Sequence, residues 1–310
     1  MCPIEVLDPG FFTSIQDLGR RSWQQCGVPI SGAMDPLALA SANTLVGNPA
    51  GAAGLEWTLG GLALRAHEDT LVAAAGRGFR LEINGWEIPL WMSAVVRRGW
   101  TVRVYHTGSG WGYLAFSGGL AVPEVMGSRS TYIKGGFGGL DGRFLQAGDL
   151  VDLNPASPSP ELAARSLPVN RRPSYSDDLT IGVIPGPKAD AFTSETLAAF
   201  YQSTYTISQV SDRMGFCLDG PPLQHISGAD ILSEGTLPGC IQVPGNGQPI
   251  VLMRDCQTTG GYTKIATVIQ ADLPLLAQLP PGSGQVRFKP VTLETAHALH
   301  ALRWQNATQI

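Results

Sequence analysis

The chain has 310 residues, a formal net charge of -4 at pH 7 and only 15% charged residues, against about 25% in an average soluble domain. It is long enough to bury a sizeable core, more readily as two domains than one. Without a basic excess it is a poor match to a nucleic-acid backbone, and Gly plus Pro, about a fifth of the chain, falls short of the roughly 25–30% that marks low-complexity disorder.

The opening residues Met1–Val6 carry neither a basic nor an apolar signal region, so no signal peptide is expected. No run approaches the ~18 apolar residues of a membrane span. The five cysteines, Cys2, Cys26, Cys217, Cys240 and Cys256, are odd in number and contain no C-x-x-C pair. That usage argues against a disulfide scaffold or a zinc ribbon and for a reducing, cytoplasmic setting.

Asp35 and Pro36 make a good cap and first turn for a helix that ends at Gly47. Leu71–Ala74 reads as a strand buried on both faces. Phe79, Leu81 and Ile83, then Trp100, Val102 and Val104, alternate with polar neighbours as half-buried strands do. Gly108–Tyr113 begins like a dinucleotide fingerprint but lacks its last glycine, and is read as a hairpin turn. Residues 155–178, rich in Pro and Ser and including Ser157 and Pro158, form a connector with at most one helical turn at Glu161–Arg165. A second helix follows at Ser194–Gln202. Strands are expected at Tyr205–Ile207, Ile250–Met253 and Lys264–Ile269, with Gly260-Gly261 as the turn before the last. A third helix runs from Thr292 to about Gln305. Its Glu294, His297 and His300 are read as a solvated face, and no metal site is expected. The spacing of turn residues, near every ten positions, favours a mainly β, β-rich α+β fold with few helices. The expected domains are 1–154 and 179–310.

The chain has no Walker-type loop and no nucleophile elbow. Its distinctive segments are instead glycine-rich and neutral polar. They are Thr13–Arg20 with Gly27–Asp35, Gly127–Gly139, Ser211–Gly215, and Pro238–Pro249 continuing through Asp255–Tyr262. Gln242, Asn246, Gln248 and Gln257 bring primary amides, and Ser31, Ser128, Thr258 and Thr259 bring hydroxyls. Such an inventory complements a ligand with a planar N–H/C=O edge: an amide, lactam or urea. Arg20, Arg129 and Arg213 are placed to take a carboxylate. Plainer readings stand beside these: Arg20 pairing Asp17, and Asp212 pairing Arg213.

These same segments, with Asn43–Asn48 and Leu55–Leu59, resemble the C-type subunit of bacterial 5-oxoprolinase, a family also called allophanate hydrolase subunit 2 or the A/B subdomain of biotin-dependent carboxyltransferases. The resemblance runs from about residue 5 to 290. It departs from the family pattern at Cys217 and Cys256, where an arginine is common. It implies two cyclophilin-like β-barrel domains and a chain that works with partners, the A-type and B-type subunits, opening the lactam of 5-oxoproline with ATP bound at the level of the complex. In that reading Asp255 and Gln257 are catalytic. Gln16, Arg20, Ser31, Ser128, Arg129, Arg213, Gln242, Asn246, Thr258, Thr259 and Tyr262 bind substrate. The alternative is carboxyl transfer from biotin on a separate chain to urea or a related amide, with no cofactor bound covalently here. A second alternative is a non-catalytic protein that antagonises a kinase inhibitor. Nucleic-acid and membrane partners are not expected.

Overall fold

The computed structural model describes residues 2–156 and 159–309; Ser157 and Pro158 of the expected connector lie outside them. The chain separates into two units. One comprises 1–20, 31–173 and 303–310, the other 21–30 and 174–302. The fold is mainly β with few helices, as expected, and no helix among the described residues is long and apolar enough to cross a membrane.

In the first unit eleven strands form two sheets. They are β1 (Cys2–Asp8), β2 (Ser14–Gln16), β3 (Gly54–Trp57), β4 (Leu62–Ala66), β5 (Thr70–Gly76), β6 (Phe79–Ile83), β7 (Trp86–Ile88), β8 (Ser93–Val96), β9 (Thr101–His106), β10 (Gly112–Phe116) and β11 (Leu150–Leu153). The strand orders are β11-β1-β4-β9-β6-β7 and β2-β3-β10-β5-β8. Ile4, Leu64, Leu81 and Val102 of one sheet share a core with Ile15, Leu55, Val72 and Leu114 of the other. The alternation at Phe79–Ile83 is a half-buried strand, and all seven residues of β5 are buried.

Gly108–Tyr113 is not a hairpin turn. It carries the chain from β9 in one sheet to β10 in the other. Its glycine neighbours serve close approach: a Cβ on Gly76 would stand 2.2 Å from Trp111 O.

Helix α1 (Pro36–Leu45) is buried along most of its length. Asp35 caps it, accepting from Leu37 N at 3.1 Å and Ala38 N at 3.0 Å. The Asp35 N–H donates to Tyr113 Oη at 2.7 Å, and that phenol donates to Glu56 at 2.7 Å. Burial and the neighbouring Glu56 carboxylate push the Tyr113 phenol well above its ordinary value. Asp35→Ala is expected to cost about 1–2 kcal/mol in urea unfolding; a loss below about 0.3 kcal/mol would contradict the capping role.

The second unit holds β12 (Asp178–Pro185), α2 (Ser194–Gln202), β13 (Tyr205–Ile207), β14 (Gly215–Asp219), β15 (Asp230–Gly235), β16 (Cys240–Val243), β17 (Ile250–Leu252), β18 (Thr259–Val268), α3 (Leu273–Ala277), β19 (Gln285–Pro290) and, up to Leu302, α4 (Leu293–Thr308). The order β12-β19-β13-β14-β17-β16-β18 closes through a β12–β18 pairing into a barrel, and β15 adds to the long β18. Only β12–β19 is parallel among the strand pairs of this barrel. Phe200 of α2 stacks on Phe288 of β19 at 4.8 Å, beside Tyr205, and all three are buried. The short α3 has no counterpart among the expected helices.

Gly260-Gly261 lies inside β18 rather than in a turn, since Gly260 pairs with Glu234 of β15. β17 and β18 are not a hairpin, because β16 stands between them.

Candidate functional site

The predicted residues fall into two clusters, one in each unit. In the first, Asp17 is the organiser. Its carboxylate accepts from Gly19 N at 2.7 Å, Ser128 Oγ at 2.7 Å, Ser130 Oγ, and Arg129 N at 2.6 Å. Gln16 donates to Ser14 Oγ at 2.9 Å and Thr131 O at 3.2 Å. The Arg20 side chain is fully buried, donates to Ser130 O and lies 4.9 Å from the centre of the Phe137 ring. Arg129 donates to Val122 O and is ion-paired with Glu124 at 2.7 Å.

Ser128, Arg129 and Arg20 therefore join two loops more than a hundred residues apart in sequence, and the Arg129 ion pair is partly exposed. Gln16 Oε1 and the fully buried Ser31 Oγ are left without hydrogen-bond partners. Ser31 has a left-handed φ of 54°, a strained choice for a residue with a Cβ. The sequence offers Asp17 as a turn cap and as a partner for Arg20; the Gly19 N–H bond supplies the turn.

In the second cluster, strand order does the assembly. β16 lies between β17 and β18 and carries Gln242. The loop from β17 to β18 carries Asp255 and Gln257. Gln257 Nε2 donates to Gln242 Oε1 at 3.1 Å. Gln242 is 3% exposed, and its Nε2 has no hydrogen-bond partner. Gly260 makes room for it, since a Cβ there would stand 2.4 Å from that nitrogen. Thr236 Oγ1 donates to Gln257 O at 2.5 Å, and Thr236 N donates to Thr258 O at 2.9 Å. Thr258 and Thr259 line a cavity of about 580 Å³ together with Gln24, Thr236 and Leu237.

Asp255, expected to be catalytic, is buried and held in an ion pair. Arg213 grips it bidentately at 2.8 and 3.1 Å, with the two side chains 12% and 8% exposed. Arg213 is thus committed to Asp255, and Asp212 instead closes its own turn on Met214 N. Asn246 spends its carboxamide oxygen on Gln248 N at 3.1 Å. Tyr262 is exposed on β18, opposite Asp230.

A residue that sequence reasoning misses is Lys264, the register partner of Gln242. Its buried ammonium donates to Gly235 O at 3.0 Å and pairs with Glu234 at 2.7 Å, holding that carboxyl below its ordinary range. The one signal for it is a lone lysine in an otherwise uncharged strand.

Cys256 is 3% exposed, and burial pushes its thiol up to about 12. Burial, with Asp212 and Asp219 nearby, also raises Cys217. Neither supplies the charge of an arginine, and neither is a thiolate nucleophile near neutrality. A thiol reagent at about pH 7.5 is expected to modify the exposed Cys26 and leave Cys256 untouched, read by peptide mass. Labelling of both at one rate would contradict this.

Known proteins share this architecture and sequence. The family model described as carboxyltransferase domain, subdomain A and B, matches residues 26–290. The C-type subunit of 5-oxoprolinase from Escherichia coli is 40% identical, covering 94% of this chain and 93% of its own length. That of Haemophilus influenzae is 35% identical, covering 96% and 94%. The urea amidolyase of Saccharomyces cerevisiae is 32% identical over 96% of this chain but only 17% of its own. The crystal structure of Kluyveromyces lactis urea carboxylase superposes with a TM-score of 0.93 at 31% identity, over 99% of this chain and 29% of that one.

Proposed function

Because the chain belongs to the carboxyltransferase-domain family, we propose that it is a subunit of an ATP-dependent 5-oxoprolinase, working in the cytoplasm with A-type and B-type partners. The carrying observation is the buried Gln242 Nε2, which lacks a partner beside Gln257. A lactam presents one acceptor and one donor on a single edge. Gln242 Nε2 donates to the lactam oxygen, and the exposed Gln257 carboxamide accepts the lactam N–H. Ring opening adds water across the C–N bond, the hydroxyl going to the carbonyl carbon and a proton to the nitrogen. Charge builds on the carbonyl oxygen as water adds, so a fixed amide donor there favours the transition state.

Asp255 acts in this reading as a positioning residue. Its pairing with Arg213, and its N–H donated to Arg213 O at 2.8 Å, fix the loop that carries Gln257. ATP supplies the drive for a hydrolysis that is otherwise uphill. The α1 N-terminus is filled by the Asp35 carboxylate, which takes the N–H groups a phosphate needs. In this reading nucleotide is bound at the level of the complex.

Carboxyl transfer is the second reading, favoured by the likeness to urea carboxylase over 99% of this chain. A biotin ureido group has the same amide edge and fits the same glutamine pair. In that reading Asp255 would be the candidate base on the acceptor nitrogen, but its carboxylate is held bidentately by Arg213. Purification from native lysate at low salt separates the two. Two unbiotinylated partner chains are expected. A streptavidin-reactive partner would support carboxyl transfer instead.

A further inference from the structure

A second cavity in the C-terminal unit, of about 460 Å³, has a different chemistry. Its polar lining groups are Arg21, Arg254, His297 and His300, together with Gln24, Thr267 and Gln270. No aspartate or glutamate lines it among the described residues. The rest of the wall is hydrocarbon, from Ile30, Ile184, Leu237, Leu273 and Leu293. The volume is within the range of small-molecule sites, where apolar walls carry a few convergent polar groups.

The cationic groups converge because three separate segments bring them there. Arg21 comes from the 21–30 segment, Arg254 follows β17, and the two histidines lie on successive turns of α4. The sequence pattern puts His297 and His300 on a solvated face, yet His300 is half-buried in this wall. Arg21 has no ion-pair partner among the described residues and lies close enough to repel a proton on His300. Burial and the neighbouring His297 act on His300 in the same direction, holding it below its ordinary value. Glu294 of α4 acts on His297 but does not line the cavity. Arg21, His297 and His300 come together without a lining anion, and Arg21 and His297 both repel a proton on His300. Bound negative charge relieves that repulsion.

We propose that this cavity is a binding site for a small carboxylate with a short hydrocarbon body, separate from the Gln242–Gln257 pair. The carboxylate sits between Arg21 and His300, and the hydrocarbon lies against Leu237, Leu273 and Ile184. The assignment does not depend on which reaction the chain serves.

The test is calorimetric titration of the full-length chain with hexanoate, hexan-1-ol and hexylamine. Hexanoate is expected to bind at least about tenfold more tightly than hexylamine, the alcohol falling between. Affinity for hexanoate is expected to rise as pH falls from about 7.5 to 5.8, while the acid stays largely ionised. The sign follows from His300: its proton is lost early in the free protein, and a bound anion favours putting it back. Arg21→Gln with His300→Gln is expected to abolish the preference for the acid, with the thermal midpoint kept because Arg21 is exposed. Ala296→Phe, which fills the cavity and leaves every charge in place, is expected to abolish binding of all three probes. Equal binding of acid and amine, hexanoate affinity unmoved by the double variant, undiminished binding to Ala296→Phe, or no saturable binding of hexanoate would each overturn the proposal.

Discussion

Gln242→Leu is expected to lower 5-oxoproline-dependent ADP release by about tenfold to a hundredfold, the worth of a buried amide donor to a charged or charging oxygen. The same substitution is expected to leave the fold as stable as before, or more stable by up to about 1 kcal/mol. The two results belong together. Gln242 is 3% exposed and its Nε2 has no partner, so the native protein carries an unsatisfied donor. Leucine removes that penalty at similar volume. The accepting oxygen it takes away served Gln257, whose side chain is exposed and can turn to water. Residues that exist only to hold a fold lose stability when replaced; one held ready for a ligand does not. Gln257→Ala is expected to impair turnover similarly while the partner subunits still co-purify. Loss of stability with full turnover in Gln242→Leu would remove this residue from the site.

The largest effect on stability is expected at Arg213. Arg213→Ala leaves the Asp255 carboxylate, 8% exposed, without its bidentate partner. Breaking a buried pair from one side costs about 3–5 kcal/mol. Arg213→Met combined with Asp255→Leu is expected to cost much less than the two single changes summed, because no charge is left stranded. Urea midpoints of wild type, Arg213→Ala, Arg213→Met, Asp255→Leu and the double variant decide it. A single-variant loss below about 1 kcal/mol would mean that the pair is loose, and would return Arg213 to the role of substrate carboxylate holder.

What is legible in the sequence is what short range dictates. The cap at Asp35, proline at the first helical position and Gly47 after the last turn set α1. Period-two alternation sets the strand at Phe79–Ile83. Gln242 and Gln257 both stand out as amides, and adjacency of β16, β17 and β18 then joins them. Long range is illegible. Nothing in the sequence pairs Asp17 with Ser128 and Ser130, or Arg213 with Asp255 in preference to its neighbour Asp212. Nothing in the composition groups 21–30 with residues beyond 173.

Glycine misleads twice for one reason. At Gly260 and in the Gly108–Tyr113 segment it reads as a turn former. At Gly260, and at Gly76 facing that segment, the absence of a Cβ is what the structure uses. Sequence alone does not separate these two properties of one residue. Lys264 escapes notice because a lysine in a strand is usually a solvated edge charge, and here it is buried with Glu234 and Gly235 O.

Amide-edge recognition in service of lactam opening is tested most directly by ADP release from the complex purified through this chain, with and without 5-oxoproline, in the presence and absence of avidin. The prediction is release that rises with 5-oxoproline, is matched by glutamate formed, and ignores avidin. No rise with 5-oxoproline, or ADP release that needs bicarbonate and is stopped by avidin, would contradict it.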